Sequence, residues 1–183
     1  MNKVYKKIAV ITLDILKKKS WHILSLSEVK NKSKIRSFDE LIKSKQELLK
    51  ILNNYFDYNL SLQAKSLENS NQKDMIFEIL MIRFDILQSN RKGIISIFNS
   101  FKKKPQELIF LLPNLLDSIV LMFKFTKISS TGIIGQMKIK GIFIIYISSF
   151  LVWIKDDSPS LEKTMKSLDN YLDQAGKILK FIN

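Results

Sequence analysis

The chain has 183 residues, 46% of them apolar, a formal charge of +13 and no cysteine. That length holds one sizeable core or a small head on a larger body, and the apolar share is that of a folded chain. Disulfides, thiolate catalysis and cysteine-based zinc sites are excluded, and the surplus of lysine points to an anionic partner, either nucleic acid or an acidic membrane surface.

Taken in order, nearly every segment reads as helix. Val4, Ile8, Ile11 and Ile15 put one apolar stripe on Lys3 to Lys19, and Ser20-Trp21-His22 interrupts it. Asp14 and Lys17-Lys18-Lys19 break any apolar run, so no signal peptide is expected there. Three Ser-x-x-Glu boxes follow: Ser25 with Glu28, Ser37 with Glu40, Ser44 with Glu47. Each predicts a helix start, because the serine and the glutamate together satisfy two free amides. Two very short helices are therefore expected, the second over Phe38 to Lys43, and then a long one from Lys45 towards Leu62. Its stripe is Leu48, Leu49, Leu52, Phe56 and Leu60.

A polar connection around Glu68 to Gln72 precedes a helix over Asp74 to Ser89. A short helix from Lys92-Gly93 to Phe101 and a turn at Lys102 to Pro105 come next. Glu107 to Phe125 is apolar and carries Pro113, which predicts a kink. Ser129 to Gly132 is a loop. Gly141 to Ile154 is apolar on nearly every side, which predicts a helix buried over most of its circumference. At fourteen residues this run is short for a membrane span. Ser158-Pro159 predicts the start of the last helix, with Leu161, Met165, Leu168, Leu172, Ala175 and Leu179 as its stripe. The expected architecture is all-α with about nine helices: a small three-helix head over 1–50 and a larger helical body over 51–183.

The basic end holds thirteen Lys or Arg against five Asp or Glu in Met1 to Lys50. Lys30, Lys32, Lys34, Arg36, Lys43 and Lys45 are its candidate contacts for DNA or another polyanion. Arg36 is the one well placed for bidentate base reading; lysines on phosphate carry no sequence information. Lysine drift on solvated faces is the alternative. In the body, Phe110, Pro113, Leu116, Val120, Phe123, Tyr146, Phe150 and Trp153 are candidate lining for an apolar ligand. Filling of a core or a dimer interface is the competing explanation for the same residues. His22, the single histidine, has no metal-ligand partners and reads as a loop residue. Asp156-Asp157 reads as a helix corner, since negative charge is favoured at a helix start. No nucleophile–base pair stands out, so the chain is expected to be non-catalytic, with no metal and no cofactor.

Trp153, Asp157-Ser158-Pro159, Thr164 and Leu168-Asp169 resemble the C-terminal signature of the coenzyme Q biosynthesis accessory proteins, the "Coq nine" family of lipid binders with a TetR-like fold. The match covers roughly Gly141 to Leu179, with a weaker echo at Met81 to Asp85. The N-terminal end resembles a TetR-type helix-turn-helix head at Trp21, Leu24, Ser25, Leu26, Glu28, Val29, Ser44, Lys45 and Leu48-Leu49. It departs from that pattern where Asn31-Lys32-Ser33-Lys34 replaces the turn glycine, in a shorter spacing, and in Leu41-Ile42-Lys43 before Ser44. The head therefore reads as degenerate. The resemblance implies a non-catalytic accessory protein of ubiquinone biosynthesis that binds a lipid or isoprenoid quinone. Its implied partners are a ring-modifying hydroxylase of that pathway and a membrane surface, and its implied location is the cytoplasm or the periphery of the inner membrane. The alternative is a TetR-type transcriptional regulator binding DNA. Either implies a homodimer through the last two helices.

Overall fold

The computed structural model describes residues 1–67, 70–126 and 128–182, with backbone alone for 66 and 178–182. Among the described residues there are nine α-helices, one short 3-10 turn and no strand: α1 Lys3–Leu16, α2 Leu26–Ser33, α3 Phe38–Leu41, α4 Lys45–Gln63, α5 Gln72–Gln88, α6 Arg91–Phe101, α7 Pro105–Thr126, α8 Gly132–Trp153 and α9 Glu162–Ile182. The all-α expectation holds. Glu68 and Asn69 of the polar connection, and the Leu179 side chain, lie outside the described residues.

The chain packs as two compact units, residues 1–61 with 86–115, and residues 62–85 with 116–183. In the first, α1 packs on α2 and α6. Gly93 on α6 permits this approach, since a Cβ there would meet the Leu16 Cβ at 3.0 Å. The α4 stripe is buried as its spacing predicts: Leu48, Leu49, Leu52, Phe56 and Leu60 are all at or below 4% exposure.

Of the three serine boxes one forms in full and one by its serine half, Glu28 being turned to Lys19 instead. The Ser25 hydroxyl accepts from Glu28 N at 3.2 Å. At Ser44 the box is reciprocal: Glu47 N donates to Ser44 Oγ at 3.2 Å and Ser44 N to Glu47 Oε2 at 3.3 Å. Ser37 makes no such bond. Its helix is one turn, Phe38–Leu41 rather than Phe38 to Lys43, because Ile42 goes extended at ψ 107°.

In the second unit α8 and α9 pack on each other. Their corner differs from the expected proline-started helix. Pro159 stays outside α9, Leu161 takes a positive φ of 55°, and the helix begins at Glu162. The expected serine cap forms, with Ser158 Oγ accepting from Glu162 N at 3.0 Å, and a second cap comes from a distance. Asp156, fully buried, accepts from Thr164 N and Thr164 Oγ1, each at 2.8 Å. It also accepts from Ser158 Oγ at 2.6 Å and Ser158 N at 3.2 Å. Burial pushes the Asp156 carboxyl up, but these four bonds outweigh it and hold the group at about 2. The corner role expected for Asp156-Asp157 is therefore carried by Asp156.

α7 is one helix from Pro105 to Thr126 with Pro113 inside it, and the proline removes the amide that would reach the Ile109 carbonyl. One expectation about the apolar helices is corrected: α8 is not buried over most of its circumference. Ile145, Tyr146, Ser149 and Trp153 face inward, while Ile144 is 64% and Leu151 48% exposed. Both α7 and α8 are long and apolar enough to cross a membrane by length and composition.

Candidate functional site

The basic residues of the head do not form one free patch. Lys30 is ion-paired with Asp39. Glu28 accepts from Lys19 at 3.0 Å, with Lys32 3.6 Å away. The Lys19 hydrogen bond is the main reason that the Glu28 carboxyl lies below its usual value. Lys45 turns inward: its ammonium donates to the Trp21 carbonyl and lies 4.9 Å from the Trp21 ring centroid. Burial lowers the Lys45 pKa, opposed by the charge of Glu107. Lys34, Arg36 and Lys43 are exposed. Lys34 stands at φ 52°, ψ 34°, the left-handed position that ends α2. A TetR-type turn has glycine here because a Cβ is strained in that conformation.

The short helix where a base-reading element would sit is α3, with sequence Phe-Asp-Glu-Leu. Phe38 is buried, while Asp39 and Glu40 are both exposed. Two carboxylates thus decorate a single turn of helix.

Behind this head lies a buried polar cluster that sequence reasoning missed. Glu107, 4% exposed at the start of α7, accepts from Trp21 Nε1 at 3.0 Å and from Ser100 Oγ at 3.3 Å. Trp21 N donates to Ser96 Oγ at 2.6 Å. The loop that breaks after α1 is thereby tied to α4, α6 and α7 of the same unit. His22 is exposed and bonds Ser20 at 2.9 Å, as a loop residue would.

The eight candidate ligand-lining residues divide between the two units. Phe110 and Pro113 belong to the first. Pro113 is exposed, and Phe110, 37% exposed, lies under the Lys50 ammonium at 4.2 Å. The other six belong to the second. Phe123, Tyr146 and Trp153 are buried, while Leu116, Val120 and Phe150 are half-buried. Tyr146, Phe150 and Trp153 form a ladder with Phe84: ring centroids are 5.6 Å apart for Phe84 and Tyr146, 6.5 Å for Tyr146 and Phe150, and 5.4 Å for Phe150 and Trp153. Their spacing of four and three residues places them on one face of α8.

Two open grooves lie in the second unit on other residues. One, of about 430 Å³, runs between α8 and α9 and is lined by Ser148, Leu151, Val152, Lys155, Lys163 and Tyr171. The other, of about 450 Å³, lies on α5, where Phe77, Met81 and Ile82 alternate with Glu78 and Asp85, and Met165 closes one side. Burial raises the Asp85 carboxyl pKa.

No family model matches the chain, and no curated protein matches it. Among solved structures, the crystal structure of the TetR transcriptional regulator from Nitrosomonas europaea ATCC 19718 superposes with a TM-score of 0.74 at 18% identity, over 96% of this chain and 99% of that one. The fold is TetR-like. At that identity the likeness carries architecture and no more. α8 and α9 are the last two helices of this fold.

Proposed function

We propose that this protein is a non-catalytic accessory protein that holds a long-chain apolar lipid of the isoprenoid-quinone type on a TetR-like body, with its head kept as a folding element. The observation that carries this reading is the state of α8: nearly every position from Gly141 to Trp153 is apolar, yet the helix keeps large apolar side chains exposed along its length. Ile133, Ile134, Met137, Ile144 and Leu151 are 48–82% exposed, and a contiguous apolar surface of this kind marks a binding site. Leu116, Val120 and Phe150 are the half-buried side chains that a lipid tail would reach first, over a floor of Phe123, Tyr146 and Trp153. The resemblance of Trp153 to Asp169 to the coenzyme Q accessory family gives the lipid its class and adds a pathway hydroxylase as a partner.

The head supports the same reading from the other side. A helix of one turn whose exposed side chains are Asp39, held by Lys30, and Glu40 has no bidentate donor for a guanine edge. The homodimer belongs to this proposal too. Its contact is α8 with α9 around the apolar side chains Phe143, Ile147, Phe150 and Ile154, which are half-buried within the chain.

The second reading, a TetR-type regulator, is favoured by the near-complete coverage of the Nitrosomonas europaea regulator's chain. Footprinting on genomic fragments separates the two. A protected palindrome that Arg36→Ala erases establishes the regulator. Weak binding that is insensitive to Arg36→Ala, and that falls with salt and with paired changes at Lys32 and Lys34, leaves the head a basic surface.

A further inference from the structure

We infer that the tip formed by the end of α7 and the first turns of α8 is a docking edge for the surface of an anionic lipid bilayer. This rests on the lipid-accessory reading and extends it from what the body carries to where the protein stands.

Three observations converge on the tip. The first is apolar exposure at its extreme: Ile133 is 82%, Ile134 69% and Met137 59% exposed. They sit at i, i+1 and i+4, on one face of the opening turns of α8. The second is charge. From Ser118 to Lys155 the chain has five lysines and no Asp or Glu. Lys138, half-exposed, and Lys140, exposed, follow the isoleucines within two turns of α8. An apolar wedge flanked by lysines has the chemistry of an interfacial element: the side chains enter the acyl boundary while the ammonium groups stay at the anionic head groups. The third is rigidity. Gly135 packs so closely on the preceding loop that a Cβ there would lie 2.4 Å from the Ser130 carbonyl carbon. The wedge is thus held against its own loop as a shaped corner.

A second copy of the chain is the poorer occupant. A twofold contact buries the same patch of both chains, so it would bring Lys138 and Lys140 of both copies into one interface, where residues 118–155 supply no acid to answer them. The carboxylates of α9 that might answer them, Asp169 and Asp173, are already held by Lys73 at 2.7 and 2.6 Å. An anionic bilayer supplies both an apolar phase and the missing negative charge.

Vesicle flotation of the full chain tests this. Wild-type protein should float with phosphatidylcholine vesicles containing about 30% phosphatidylglycerol, and bind vesicles of phosphatidylcholine alone about tenfold less. The double change Ile133→Asp with Ile134→Asp should abolish flotation while leaving the melting temperature and the sedimentation coefficient as in wild type. Lys138→Glu with Lys140→Glu, on side chains that need not fold to be replaced, should reduce it at least about tenfold. Flotation that ignores both pairs of changes, or that is equal on neutral vesicles, overturns the inference. So does an isoleucine variant that turns a dimer into a monomer, which would give the tip to a second copy. Lipid extracted from the same purified samples is read separately. Protein that carries isoprenoid but stays at the bottom of the tube overturns the docking edge alone. Protein that floats through these residues yet carries no isoprenoid supports the edge and removes the accessory reading.

Discussion

Removing the Asp156 carboxylate should detach α9 from its corner. Asp156 is fully buried and accepts four bonds, two from Thr164 and two from Ser158. Asp156→Ala leaves the buried Thr164 amide and hydroxyl without an acceptor. Each orphaned group costs about 1–3 kcal/mol, so a loss of about 3–4 kcal/mol is expected. Asp156→Asn keeps one acceptor oxygen and should cost about half of that. The pH dependence has a definite sign. The folded carboxyl lies at about 2, below its ordinary 3.8. The bound carboxylate therefore contributes stability that is fully present above the unfolded value and is lost as pH falls through 3.8 towards 2. A shift of that size corresponds to about 2 kcal/mol at neutral pH, of which about half is gone by pH 3. Urea denaturation of wild type and Asp156→Asn at pH 7, 5 and 3 gives the measurement, with the gap narrowing between pH 5 and 3. An Asp156→Ala protein within about 0.5 kcal/mol of wild type, or a gap that does not change with pH, would refute the reasoning.

Three further outcomes are expected. Lys34→Gly should stabilise the head by about 0.5–1 kcal/mol, seen as a higher urea midpoint, because Lys34 occupies a left-handed conformation that glycine adopts without strain. Glu107→Ala should cost about 2–3 kcal/mol in the same assay, since the Trp21 indole N–H loses its acceptor in a buried setting. Gly135→Ala should cost about 1–3 kcal/mol in thermal melts, because the new methyl meets the Ser130 backbone rather than a side chain that can move.

Amphipathic segments were legible residue by residue. The α4 stripe and the Ser25 and Ser44 caps are local patterns, and local geometry satisfied them. Ser37-x-x-Glu40 is the same pattern, but Ser37 stands at ψ 18° rather than in the extended conformation of Ser25, so its hydroxyl is not presented to the first amides of α3. Ser158 was legible as a cap and bonds Glu162 N, but the α9 start was misplaced at Pro159 because Leu161 takes a positive φ before the helix and the second cap, Asp156, lies eight residues upstream of Thr164, where local spacing carries no signal. Periodicity was silent on α8 for a different reason. When every face is apolar, the stripe that marks the buried side disappears, so Ile144 and Leu151 could not be told from Tyr146 and Trp153. The Glu107–Trp21 bond joins residues 86 apart. A glutamate in a first helical turn reads as a partner for the helix dipole, and nothing nearby in the chain shows that an indole will reach it. The likeness of Trp153 to Asp169 to the coenzyme Q accessory family pointed to the fold, which holds, and the lipid remains the proposal it supports.

Native mass spectrometry of the purified protein, followed by lipid extraction, tests the central claim most directly. The account predicts a dimer carrying a stoichiometric adduct whose extracted mass is that of an isoprenoid quinone or a similar long-chain lipid. A bare dimer whose melting temperature ignores added isoprenoids, and which protects a palindromic DNA site through Arg36, would contradict it.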